Sequence, residues 1–168
     1  NEFIEGSYFK DKAGKLYFGG INGFTIFEPN KISDNPLKPL TYIVDFQIFN
    51  KSVQIDSSSI LKKNIILTKE IHLNHSDNVF SFEFAALNYS HSDNNQYSYK
   101  LEGFDEKWNN VGNIHSATYT NLKPGNYVFK VKGSNNHGKW CEIPASIEIE
   151  ILPPFWKSQW AIILYIIF

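Results

Sequence analysis

Apolar and polar residues alternate with a period of two through most of the chain. Residues 79–86 place Phe80, Phe82 and Phe84 on one side, with Ser81 and Glu83 on the other. Residues 96–102 set Tyr97, Tyr99 and Leu101 against Ser98, Lys100 and Glu102. Residues 127–132 set Tyr127, Phe129 and Val131 against Lys130 and Lys132, and residues 146–151 set Ile147, Ile149 and Ile151 against Ser146, Glu148 and Glu150. A further long strand is predicted over 42–49, with short ones at 65–67 and 71–73 and a serine-rich loop over 50–64. Period-two alternation means one buried and one wet face, the antiparallel pattern. No stretch before residue 152 carries a helical 3.6 period. Several such strands at short spacing, separated by Gly, Asn and Pro turns, predict an all-β fold built as an antiparallel β-sandwich.

The head differs from this body. Within residues 1–30, KDKAGKLYFGGINGFTIFEP reads as a hairpin, with strands at 16–18 and 24–27. Asn22-Gly23 is its turn signal, because both central residues of a type I′ turn need positive φ. A lone hairpin is marginal in water, so this one must pack on something. Residues 31–39, with two prolines and no periodicity, form a connector. The sandwich is then expected over 40–152. Inside it, LKPGNY (residues 122–127) has the shape of a tyrosine corner, in which the phenol oxygen bonds back to the preceding connection.

The tail, ILPPFWKSQWAIILYIIF, is no sandwich strand. Pro153 and Pro154 cannot donate ladder hydrogen bonds. From Trp160 to Phe168 it is uninterrupted apolar. As a helix that run would rise about 13 Å, less than half of a ~30 Å hydrocarbon core. Trp156, Lys157 and Trp160 in front of it fit an interfacial anchor. Residues 153–168 are therefore read as a juxtamembrane segment and the start of a transmembrane helix, and the chain as a fragment of a longer protein.

Composition narrows the function. The net charge is -1 and no Lys/Arg run occurs, which argues against a nucleic-acid partner. The single cysteine, Cys141, rules out an internal disulfide, and the N-terminus lacks the features of a signal peptide. Five histidines are scattered, with no zinc-finger spacing; His72 and His75 fall on opposite faces of a strand, so no metal site is expected. Asp45, Glu83, Asp93, Asp105 and Glu106 could supply a carboxylate pair for glycoside hydrolysis, but no motif singles out two of them. No phosphate loop or nucleophile elbow is present, so neither catalysis nor a cofactor is expected of this fragment. The remaining candidates are aromatic. Trp108 and Trp140 could offer ring faces to sugar C–H groups, or could simply close the sandwich.

Residues 97–140 contain Tyr97-x-Tyr99-x-Leu101, Gly103-Phe104-Asp105, Trp108, Tyr119-x-x-Leu122, Pro124-Gly125-x-Tyr127 and Ser134-Asn135. In these elements the stretch resembles the Y_Y_Y domain, a membrane-proximal sandwich of hybrid two-component sensors typical of gut Bacteroidetes. LPPFW fits the family's exit towards the membrane, and GKLYFGGINGFTIFEP resembles the closing repeat of the β-propellers that precede such domains. The resemblance implies an immunoglobulin or fibronectin III-like sandwich. It also implies the periplasmic part of an inner-membrane receptor that senses oligosaccharides, pairs as a homodimer, and carries its histidine kinase beyond the membrane. On this reading the module couples glycan binding in the whole ectodomain to the transmembrane helix. The competing expectation is a carbohydrate-binding or adhesion sandwich that binds sugar itself, through Trp108 and Trp140.

Overall fold

The computed structural model describes residues 3–31, 37–88, 92–154 and 156. The chain divides into two compact units, one ending at Asn35 and the other beginning at Pro36.

The first unit is a three-stranded antiparallel meander of β1 (Phe3–Lys10), β2 (Leu16–Gly20) and β3 (Gly23–Phe27). The predicted hairpin is β2–β3; β1 has no clear alternation to announce it. Phe18 stacks on Phe27, and Glu28 bridges Lys15 and Lys31. The turn differs from the expected one. Gly20 pairs with Gly23, so its central residues are Ile21 and Asn22, and only Gly23 takes a positive φ. Two consecutive positive φ values occur elsewhere, at Phe49 and Asn50. Tyr8, Phe9, Phe24 and Ile26 are exposed on this small sheet.

The second unit is a sandwich. Its strands are β4 (Thr41–Ile48), β5 (Lys51–Ser52), β6 (Glu70–Leu73), β7 (Val79–Ala86), β8 (Tyr97–Glu102), β9 (Asn109–Gly112), β10 (Ser116–Thr120), β11 (Gly125–Gly133) and β12 (Ala145–Ile151). One sheet has the order β10-β7-β4-β5, the other β6-β12-β11-β8-β9. The expected all-β, antiparallel sandwich is found, except that β6 and β12 pair in parallel. Residues 65–67 form a 3-10 turn instead of a strand. Asn64 caps it by accepting from the Ile66 N–H, and only Ile65 is buried.

The alternation explains the core. Phe80, Phe82 and Phe84 from β7 meet Phe129 and Val131 from β11, Leu101 from β8, and Ile147 and Ile149 from β12, all essentially inaccessible to water. Phe82 and Phe129 stack across the two sheets at 4.5 Å. Each such ring contributes about 1.5–3 kcal/mol by burial. Two serines depart from the pattern. Ser81 is buried on the outward side of β7 and shares a hydrogen bond with Thr118 on β10. Ser98, expected on the wet face of β8, is fully buried, and its hydroxyl has no hydrogen-bond partner among the described residues.

Strand β11 separates the points where the chain enters and leaves the sandwich. β4 begins beside the end of β11, where the Gly133 N–H donates to the Thr41 hydroxyl at 2.9 Å. β12 ends beside the start of β11, with Ile151 opposite Gly125. The entry of β4 and the exit of β12 thus lie at opposite ends of a nine-residue strand, roughly 27 Å apart at 3.4 Å per residue. No helix among the described residues is long and apolar enough to cross a membrane. Of residues 153–168, read as the juxtamembrane segment and start of a membrane helix, Pro153, Pro154 and Trp156 are described, and the rest, including Lys157 and Trp160, lie outside the described residues.

Candidate functional site

The motif tyrosines serve the frame. Tyr97 is buried, and its hydroxyl accepts from the Ala86 N–H, tying β8 to the end of β7. Tyr99 lies edge-on to Tyr119 and tilted over Phe129. Tyr119, on β10, donates to an Asp105 carboxylate oxygen at 3.0 Å, and the same oxygen accepts from the Leu101 N–H at 2.7 Å. Burial, then the charge of Asp105 and its hydrogen bond, push the Tyr119 phenol far above its usual range. Burial and Asp105 also raise Tyr99. After Pro124, Gly125 opens β11, and Tyr127 donates to the Lys123 carbonyl at 2.9 Å. This is the hydrogen bond that a tyrosine corner requires. Gly103 completes it. With φ at +92°, it lies against that ring, and a Cβ there would come within 3.0 Å of Tyr127.

Trp108 and Trp140 stand apart in the sequence, and the structure brings them to one cation. The ammonium of Lys132, on β11, sits 4.6 Å from the Trp108 ring centroid and 5.2 Å from that of Trp140. All three side chains are half-buried. Local bonds place each tryptophan. Lys100 donates to the Glu106 carbonyl, holding the loop before Trp108, and Asn109 then pairs with Tyr99. The buried Asn135 side chain accepts from the His137 and Lys139 N–H groups, folding the loop back so that Trp140 bridges to Ser134. That fold gives Ser134-Asn135 its place in the motif. Sequence reasoning misses Lys132 because alternation marks it only as an outward residue; nothing local shows that two distant indoles converge on it.

The outward face of the larger sheet is divided by charge. A groove of about 470 Å³ is lined by Glu70, Glu102, Gly103, Asn126, Tyr127, Val128, Glu148, Ile149 and Glu150. Glu102 also pairs with Lys130 at 2.7 Å, beyond which lie Lys100, Lys132 and the tryptophans. Near the exit of β12, Glu70, His72 and Glu150 bring ligand atoms within 4.8 Å of one another. This is the group best able to hold a metal ion among the described residues. Its two histidine nitrogens face different carboxylates, Nδ1 towards Glu150 at 2.7 Å and Nε2 towards Glu70 at 3.7 Å. One ion could use only one of those nitrogens, so the group is better described as an exposed hydrogen-bonded cluster. The parallel partner Glu150 is invisible locally, being 78 residues away. His75 instead meets Trp156 edge-on at 5.2 Å.

Three of the carboxylates considered for hydrolysis, Asp45, Glu83 and Asp105, are occupied. The Gln47 amide donates to both Asp45 and Glu83, while Asp105 serves Tyr119 and Leu101.

This arrangement is an all-β sandwich held by tyrosines on β8, β10 and β11. Residues 88–152 match the Y_Y_Y domain. Over 166 residues it is 40% identical to histidine kinase P4 of Formosa agariphila, covering 98% of this chain but 12% of that protein. Among solved structures it resembles the extracellular domains of two proteins of B. thetaiotaomicron assigned to hybrid two component systems. For BT3049 the TM-score is 0.66 at 32% identity, covering 91% of this chain and 20% of the other. For BT4673 it is 0.63 at 33% identity, covering 92% and 21%. The chain thus spans about an eighth to a fifth of these relatives. The part it matches in the solved structures is sensor ectodomain, not a kinase catalytic domain.

Proposed function

We propose that this chain is the membrane-proximal periplasmic module of a glycan-sensing two-component receptor in the inner membrane. It couples oligosaccharide binding in the ectodomain to a transmembrane helix and a cytoplasmic kinase, and works as a homodimer. Residues 1–30 are the closing repeat of a β-propeller, 31–39 a connector, 40–152 the sandwich, and 153–168 the start of the membrane segment. The exposed Tyr8, Phe9 and Phe24 favour the first assignment, since a three-stranded sheet with bare aromatic rings needs neighbouring sheets. The anchor role falls to Trp156, Lys157 and Trp160, followed by the apolar run from Trp160 to Phe168.

The observation that carries this reading is the path of the chain. It enters at one end of a tightly packed sandwich and leaves at the other, into LPPFW. Close-packed sheets do not deform gradually, so a displacement at Thr41 would reach Ile151 as a rigid-body movement. The test is a flexible Gly-Ser insertion between Ile151 and Leu152 in the full-length receptor. Coupling predicts that glycan binding survives while glycan-dependent autophosphorylation is lost. An unchanged response would defeat it. Sedimentation of the same receptor in detergent tests the dimer, which a monomer at working concentration would remove.

A second reading, direct sugar binding by the sandwich, is favoured by one observation: Trp108 and Trp140 meet at Lys132.

A further inference from the structure

Lys132 is a half-buried cation with no carboxylate partner among the described residues. The neighbouring lysines on this face are engaged: Lys130 is paired with Glu102, and Lys100 is bonded to the Glu106 carbonyl. Among the described residues, Lys132 meets only the two indole rings. Cation–π contacts attract an ammonium to ring faces but do not neutralise it. Neither the Trp108 nor the Trp140 N–H has an acceptor among the described residues, so water serves them where they are open.

These groups share a chemistry. An ammonium and two indole N–H groups are all donors, and no acid among the described residues answers them. The carboxylates of the same face are gathered in the groove around Glu70, Glu148 and Glu150, away from the tryptophans. A ligand for the basic part must bring acceptors and a negative charge. To use the indoles it must also bring a flat C–H surface. A sugar ring carrying a carboxylate or a sulfate ester offers both: its C–H face stacks on an aromatic ring and its anion pairs with Lys132.

We propose that Trp108, Lys132 and Trp140 form a subsite for an anionic sugar on the outward face of the larger sheet. The subsite rests on the glycan-sensing reading and gives it a ligand class. The anion sits against Lys132, between the loops that carry Trp108 and Trp140. Occupancy would therefore fasten the β8–β9 loop to the β11–β12 loop.

The test titrates the full chain, in detergent, with three trisaccharides: a uronate, a sulfated neutral sugar and the uncharged parent. Tryptophan emission is the signal, since all four tryptophans follow residue 100. One or both charged sugars should bind at least about tenfold more tightly than the parent, the size of one charge-assisted contact. Which of them does so separates a carboxylate site from a sulfate site. Lys132→Gln should bring the ratio of charged-sugar to parent affinity down to about one. Equal binding of charged and uncharged sugars, or binding of none, overturns the subsite. This comparison needs no variant and so does not depend on the variant's folding. In the full-length receptor the two readings separate. A receptor that responds to a glycan, and responds equally with Lys132→Gln, loses the subsite and keeps glycan sensing. If the wild-type receptor responds to no glycan but the chain binds the charged sugar, the sensing function fails and the subsite stands.

Discussion

Replacing Asp105 by alanine should cost the sandwich about 3 kcal/mol. One carboxylate oxygen of Asp105 accepts from the Leu101 N–H at 2.7 Å and from the Tyr119 hydroxyl at 3.0 Å. Leu101 is fully buried and Tyr119 nearly so. A hydrogen bond to a charged group contributes about 1.5–3 kcal/mol, and an orphaned buried donor costs about 1–3 kcal/mol. Two orphaned donors would cost up to about 6 kcal/mol. Asp105 itself is half-exposed, however, so water can reach part of the vacated space, and the lower half of that range applies. Asp105→Asn keeps one acceptor oxygen and should cost about 1 kcal/mol, while Tyr119→Phe, leaving Leu101 bonded, should cost about the same. Urea denaturation followed by tryptophan emission reads this directly, because the first unit contains no tryptophan. A double-mutant cycle of Asp105→Ala with Tyr119→Phe should show a coupling of about 1 kcal/mol. A loss under about 1 kcal/mol for Asp105→Ala, or zero coupling in the cycle, would refute the claim that this carboxylate fastens β8 to β10.

Gly103→Ala should destabilise by about 2 kcal/mol: about half from the left-handed φ, and the rest from displacing Tyr127 off the Lys123 carbonyl. If Tyr127→Phe already removes that hydrogen bond, Gly103→Ala should cost less in its background, and full additivity in urea melts would disprove the linkage. Stability should also fall in alkali. The Tyr119 phenol is raised in the folded chain, so folded Tyr119 keeps its proton while the unfolded chain releases it near pH 10. The contribution is therefore complete below about pH 10 and declines above it, by about 1.4 kcal/mol per pH unit for one phenol. Tyr99, raised in the same direction, adds to the decline. Tyr119→Phe should flatten the curve, and an unchanged alkaline slope in that variant would contradict the assignment.

The residues legible in the sequence are those whose environment is set by neighbours in the chain. Phe80, Phe82 and Phe84 alternate on one strand, so their burial is readable, as is the Tyr127 corner, whose partner Lys123 is only four residues away. β9 and β10 are not legible in this way. NNVG has no apolar alternation, and SATYT holds one large apolar residue; each is a strand because β8 or β7 supplies a ladder for it. The Ile65–Leu67 3-10 turn escapes for a related reason: a three-residue apolar run is equally compatible with a strand, and the cap from Asn64 settles it. The type I′ turn is expected where Asn-Gly allows it and instead lies at Phe49-Asn50, where φ is +50° and +60°. There the pairing of Ile48 with Lys51 leaves two residues to turn the chain, and register overrides local preference.

The same distinction governs the candidate site. The sequence marks Trp108 and Trp140 as separate aromatic candidates because each sits after a loop. Their meeting depends on a nine-residue β11 that carries Lys132 between the two loops, and on register with Ser98 across the ladder. Both parts are long-range, so residue type alone suggests only stacking. The arrangement adds charge. An indole pair by itself would accept any sugar with an open C–H face; the same pair around an unneutralised lysine discriminates by the ligand's charge. Selectivity here would thus come from the one member of the group that outward-facing alternation makes look ordinary, and substituting Lys132 tests it more sharply than removing either tryptophan.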